Sequence, residues 1–189
     1  MADITPGASD YVRPHRSPWG AFPMRGMPLS TGISSNAIYV GQMVSLDVNS
    51  TAYQNCIVPS SLTSNTIVST ANVGFAADSS TGLSNANNIG QGAMYPVWEA
   101  NPMVEFRART RNGLLNSTLV GQPHSILWDS TLHIHLVNVG ASSATTPVNV
   151  IITELIDNSG DSGGAVVFRV PARDVTSSLS TANILAFYK

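Results

Sequence analysis

The string Gly160-Asp161-Ser162-Gly163-Gly164 is of the kind that surrounds the nucleophile of serine proteases. A serine hydroxyl attacks a carbonyl only when a histidine accepts its proton and a carboxylate orients that histidine. In such enzymes the base and its carboxylate precede the serine by long stretches. Here His133 and His135 stand only 29 and 27 residues before Ser162, with His124 and His15 further upstream. None of them lies in an Ala-Ala-His-Cys-like segment, and the cysteine that commonly stands just before this motif is missing. Strong β patterns flank the string, and glycine, aspartate and serine are what a tight connection is made of. The expectation is a strand turn in which Ser162 is not a nucleophile, and a protein that is not an enzyme.

His133 and His135 alternate with Leu132, Ile134 and Leu136, a spacing that puts both imidazoles on one side of a strand. His-x-His on a strand is a recurrent zinc or copper geometry, but a site needs a third and usually a fourth ligand. No such cluster stands near them in sequence, though His124 or Asp129 could complete a set from a distance. A polar strand face is the preferred reading, with no metal and no cofactor. A third concentration of chemistry is Glu105, Arg107, Arg109 and Arg111, which period two places on one face opposite Val104, Phe106 and Ala108. Two readings stand side by side. The arginines dock acidic groups of a partner or a sister subunit, or they form a solvated face balanced by Glu105 and by cross-strand acids such as Glu154.

The composition narrows what these residues can belong to. Apolar residues make up 43% of the 189, enough for a core, while charged residues make up only 11%. The latter is far below the roughly 25% of an average soluble domain. Lysine occurs once, at Lys189, so nearly all positive charge is arginine. A surface so poor in charge suits a protein packed against neighbours. The net charge of −2 gives no reason to expect a nucleic-acid partner. No apolar run is long enough for a membrane span, and no small-molecule substrate is expected. The first residues, Met1-Ala2-Asp3-Ile4-Thr5, carry no apolar signal-peptide core, so synthesis in a cytoplasm is expected. The single cysteine, Cys56, excludes an internal disulfide and is expected to be a buried thiol.

The elements that must position these residues read as strands. Residues 37–48, 56–58, 66–68, 72–77, 95–98, 103–111, 125–128, 131–137, 147–156 and 164–170 carry alternating or continuous β-branched and aromatic patterns. Residues 114–120 read as a short strand or bridge, 78–92 as a long loop and Asn112-Gly113 as a turn. The last strand pairs with the one before it across 157–163. The fold class is all-β: an antiparallel β-barrel, β-tulip or sandwich over residues 37–170. Residues 1–36 differ, holding five of the eleven prolines, which leaves an extended path unable to form its own core. Tyr11, Arg13, His15, Arg16, Trp19, Phe22 and Arg25 lie between those prolines, and aromatic and arginine anchors are what interfaces enrich. An extended docking arm is therefore preferred to a disordered leader. The C-terminal extension 171–189 reads as a short helix or a second arm.

Taken in order, Tyr95-Pro96-Val97-Trp98-Glu99-Ala100-Asn101-Pro102, Glu105-Phe106-Arg107-Ala108, Leu127-Trp128-Asp129-Ser130-Thr131-Leu132-His133-Ile134-His135, Val150-Ile151-Ile152-Thr153-Glu154-Leu155 and Gly160–Phe168 resemble small proteins of tailed bacteriophages. Those proteins decorate the head beside the major capsid protein. The resemblance spans residues 95–170 and leaves both terminal extensions outside it. It implies a head decoration, or cement, protein that binds the outer surface of the capsid, often as a homotrimer, and ties neighbouring capsomers together. The expected location is the virion surface, and the family carries no catalytic residues to transfer. The alternative is a receptor- or glycan-binding β-module of a phage tail or fibre, which shares fold class and composition.

Overall fold

A computed structural model describes residues 2–28, 38–46, 57–59, 72–78, 94–140 and 150–171. Cys56, the strand expected at 66–68, the start of the strand at 147–149, the loop from 79 to 92, the end of the arm from 29 and the C-terminal extension from 172 lie outside these residues.

The described chain is all-β. Eleven strands appear in order: β1 (Arg13–Arg16), β2 (Met24–Pro28), β3 (Met43–Leu46), β4 (Ile57–Pro59), β5 (Asn72–Ala76), β6 (Met94–Glu99), β7 (Glu105–Arg111), β8 (Pro123–Asp129), β9 (Ile134–Asn138), β10 (Val150–Leu155) and β11 (Ala165–Arg169). A single 3-10 turn, Ser117–Leu119, sits between β7 and β8, where Asn116 accepts the Thr118 N–H through its side chain.

Strands β7, β11, β10, β8 and β9 pair in that order and close on themselves, because β9 returns to β7. The other pairings in the ring are antiparallel. The closing one is parallel, with Thr110 against Val137 and Arg111 against Asn138, so the barrel is mixed rather than wholly antiparallel. β7 can serve three neighbours because β1 occupies the first half of its free edge, through Arg13–Arg107 and Pro14–Phe106, and β9 the second half. The remaining strands form a second sheet in the order β2-β6-β5-β3-β4.

The core follows from the alternation. In β7, buried Phe106, Ala108 and Thr110 alternate with the half-buried Glu105, Arg107, Arg109 and Arg111, as period two requires. Phe106 and Ala108 join Ile126, Val137, Val150, Ile152, Val166 and Phe168, filling a barrel of this size with side chains. Val12, Met43 and Phe75 enter the same cluster from outside the ring. Phe75 meets Phe106 at 4.8 Å and Phe168 at 6.1 Å between ring centroids, so an aromatic trio holds the second sheet to the barrel. The opposite face of that sheet carries a smaller cluster of Met27, Ile38, Val44, Ala76, Tyr95 and Val97.

Two strand starts within the described residues differ from the sequence reading by three residues or more. The strand expected over 37–48 begins only at Met43, because Gly41 adopts a left-handed φ of 76° and packs on the main chain of residue 12. A Cβ at Gly41 would lie 2.6 Å from the Val12 carbonyl oxygen. The strand expected over 131–137 begins at Ile134, since Asp129 accepts the N–H groups of Thr131 and Leu132 and folds 130–133 into a turn. Residues 2–28, read as an arm beside the β domain, are hydrogen-bonded into both sheets. β1 and β2 each occupy a sheet edge, where prolines are tolerated, and Val12 is fully buried.

Candidate interaction surface

The Gly160–Gly164 string sits where the sequence puts it, in the connection between β10 and β11, and its polar groups are committed to the start of the chain. Asp161 accepts the Ala2 N–H at 2.7 Å and the Asn158 N–H at 3.2 Å. The Ser162 N–H donates to the Ala2 carbonyl, the Ser162 carbonyl accepts from Ile4, and the Ser162 hydroxyl donates to the Asp3 carboxylate. Gly163 has a φ of 65°, and a Cβ there would fall 1.9 Å from the Ile4 carbonyl oxygen. These residues form a clamp for residues 2–4, and Ser162 has a carboxylate rather than an imidazole as its partner.

The two spaced histidines are parted by the turn at 130–133. His133 lies outside β9 with a left-handed φ of 56° and stacks on Tyr39 at 4.0 Å and 5°. His135 lies within β9, fully buried, 4.9 Å from the Trp128 ring. Burial drives its pKa down to about 3, and the nearby Leu127 main chain opposes this only in part. Neither ring nitrogen of His135 or of the buried His124 has a hydrogen-bond partner among the described residues. The described residues contain no group of three or more His, Cys, Asp or Glu placed to hold a metal, and none of their helices is long and apolar enough to cross a membrane.

The arginines are the richest polar feature. Arg109 is held between two acids, with Nε 3.2 Å from Asp10 and Nη1 2.6 Å from Asp157. Partial burial raises the Asp10 pKa, but the Gly7 N–H, the bond to and charge of Arg109 and the charge of Arg107 outweigh it, so the net shift is downward. Arg16 reaches Glu105 at 3.2 Å and Glu154 at 3.0 Å, helped by a bulge in β1 between Pro14 and Arg16. Arg111 is more loosely tied to Asp129, at 3.8 Å. Glu105 and Glu154, the acids expected to balance the β7 arginines, pair instead with Arg16 of β1, and Arg109 and Arg111 are met by Asp10, Asp157 and Asp129. Asp10 and Asp157, which the sequence reading missed, do most for Arg109.

The remaining singled-out residues cluster around β1, β2 and the turn joining them. Arg13, His15, Arg16 and Arg25 are exposed, and Tyr11 is half-buried. The turn from Ser17 to Pro23 holds Trp19 and Phe22, which are 58% and 38% exposed, and Met24 just after it is 62% exposed. One exposed apolar residue is ordinary. Trp and Phe on a seven-residue crossing between sheets, with Met at its exit and Arg13 and Arg16 before it, have the composition of an interface core. Comparison with protein-family models, with curated proteins and with solved structures found no match.

Proposed function

We propose that this chain is a structural protein of a bacteriophage head, a decoration protein that binds the outer surface of the capsid and ties neighbouring capsomers together. In this reading its partners are the major capsid protein and copies of itself, assembled as a homotrimer. The observation that carries it is the exposed Trp19, Phe22 and Met24 knuckle beside the arginines of β1. A large amphipathic ring on a turn braced by two sheets loses little conformational freedom on docking. Repetition of the contact over a symmetric shell multiplies a modest affinity. The low charge and the ordered motifs of residues 95–170 support the same reading.

The test is co-sedimentation of the purified protein with undecorated heads. Replacing Trp19 and Phe22 together with Ala is expected to lower shell binding at least tenfold while the barrel still melts cooperatively. Unchanged binding by that double variant would remove the knuckle from the interface. The exposed Trp19 also favours a second reading, a glycan-binding module of a tail or fibre, because indole faces stack on sugars. Its signature is binding to host-surface glycans rather than to heads.

A further inference from the structure

Four of the arginines near the barrel's outer face divide into two kinds. Arg109 and Arg16 are each held by two acids. Arg13 and Arg107 make no ion pair or hydrogen bond among the described residues, yet they are cross-strand partners, one on β1 and the other on β7. Like charges set directly opposite each other on paired strands repel and destabilise the pairing. Nothing in the β1–β7 register requires two arginines there.

Both residues line one hollow, together with Asp10, Tyr11, Ala108 and Arg109. The hollow is shallow and open to solvent, too small to enclose a drug-sized ligand. The charges around it do not cancel. Arg13, Arg107 and Arg109 line it with Asp10, and Asp157 neutralises Arg109 from outside the lining, which leaves one positive charge. A monoanion closes that balance. A phosphate dianion overshoots it and meets Asp10 on the same wall. β1 also leads directly into the turn carrying Trp19 and Phe22, so whatever occupies the hollow approaches beside an exposed aromatic pair.

We propose that Arg13 and Arg107 form a two-guanidinium fork for the carboxylate of an Asp or Glu side chain on a partner protein. Two guanidiniums bracketing one carboxylate give short, charge-assisted hydrogen bonds with a defined direction. The repulsion between them in the free protein is relieved when the carboxylate arrives, which couples the edge strand to docking. The proposal concerns recognition chemistry and stands whether or not the partner is a capsid protein.

The full chain labelled with nitrogen-15 at arginine serves as the sample, with the side-chain Nε–H signals as the readout. Three probes are titrated at matched ionic strength: a capped pentapeptide with a central Glu among glycines, the same peptide with Gln, and inorganic phosphate. The Glu peptide is expected to shift the Arg13 and Arg107 signals together and saturably, leaving Arg111 unmoved. The Gln peptide should do nothing, and phosphate should act more weakly. Arg107→Gln is expected to abolish the response while melting at the same temperature as the parent or above it, because it removes a repulsion. A larger response to phosphate, equal responses to the Glu and Gln peptides, or no saturable response would each overturn the proposal. So would an Arg107→Gln protein that melts several degrees lower, since that would make the arginine structural.

Discussion

The hydroxyl of Ser162 donates to the carboxylate of Asp3, so two residues 159 positions apart in sequence are hydrogen-bonded neighbours. Around this bond the β10–β11 connection and residues 2–4 hold each other through three further bonds: the Ser162 N–H to the Ala2 carbonyl, the Ile4 N–H to the Ser162 carbonyl, and the Ala2 N–H to the Asp161 carboxylate. The clamp turns a string that looks catalytic into one that fastens the start of the chain to the barrel.

That gives a graded prediction at one turn. Ser162→Ala removes a partly exposed hydrogen bond and is expected to cost about 0.5–1.5 kcal/mol, with no effect on shell binding. Asp161→Ala leaves two main-chain N–H groups unpaired at a buried site and should cost about 1–3 kcal/mol. Gly163→Ala should cost more than Ser162→Ala, because it adds a clash with the Ile4 carbonyl to a left-handed backbone. Urea unfolding of the three variants gives the order, and a Ser162→Ala protein that is folded but inactive in shell binding would contradict the structural role.

Arg109 and Arg111 lie on the same face of β7, but their replacement should differ. Arg109→Gln strands two partly buried acids, Asp10 and Asp157, and is expected to cost about 1–3 kcal/mol. Arg111→Gln loses a longer, more exposed pair and should cost no more than about 1 kcal/mol. Asp10 is held below its ordinary carboxylate range. Its contribution is therefore complete above an unfolded pKa near 3.8 and is lost as pH falls through the lower folded value. Thermal melts between neutral and acid pH check both statements.

His135 acts in the same direction on acidification, over a higher pH window. Its folded pKa of about 3 lies below the unfolded 6.5, so the unfolded chain takes up a proton that the folded barrel refuses. Stability is unaffected above about pH 6.5 and then declines by about 1.4 kcal/mol per pH unit for this one group until the folded value is reached. His135→Leu should flatten that part of the profile relative to the parent. Parallel profiles for the two proteins would show that the imidazole is not the buried neutral base described.

The Phe75–Phe106 contact joins the second sheet to the barrel. Phe75→Ala is expected to destabilise by about 3–5 kcal/mol. Removing residues 2–12 should also destabilise, because it takes away buried Val12 and the Asp10 partner of Arg109. Denaturant titration followed by tryptophan fluorescence checks both. If residues 2–12 could be cut without loss of stability, they would be a free arm rather than part of the fold.

Much of the fold is legible in the sequence wherever a pattern is local. The period-two face of Glu105 to Arg111 and the pairing of β10 with β11 both follow from residues adjacent in the chain. What escapes is set by contacts that no spacing encodes. The acids that hold Arg109 are 99 and 48 positions away, and the left-handed Gly41 is dictated by the closeness of Val12. The turn before His133 did leave a signal, since Asp129-Ser130-Thr131 is a sequence in which an aspartate caps the following N–H groups. Pro14 and Pro28 lie in edge strands, where proline is tolerated and keeps the edge unavailable, so prolines in the first 28 residues do not by themselves mark an arm separate from the β domain.

A reconstruction of purified particles carrying this chain, at a resolution that traces strands, decides the proposed head-decoration role. That role predicts density for the barrel and second sheet outside the shell at equivalent capsomer junctions, grouped as trimers, with the Trp19–Phe22 turn against the major capsid protein. Density confined to the tail, or a shell with no such subunit on its outer surface, would contradict it.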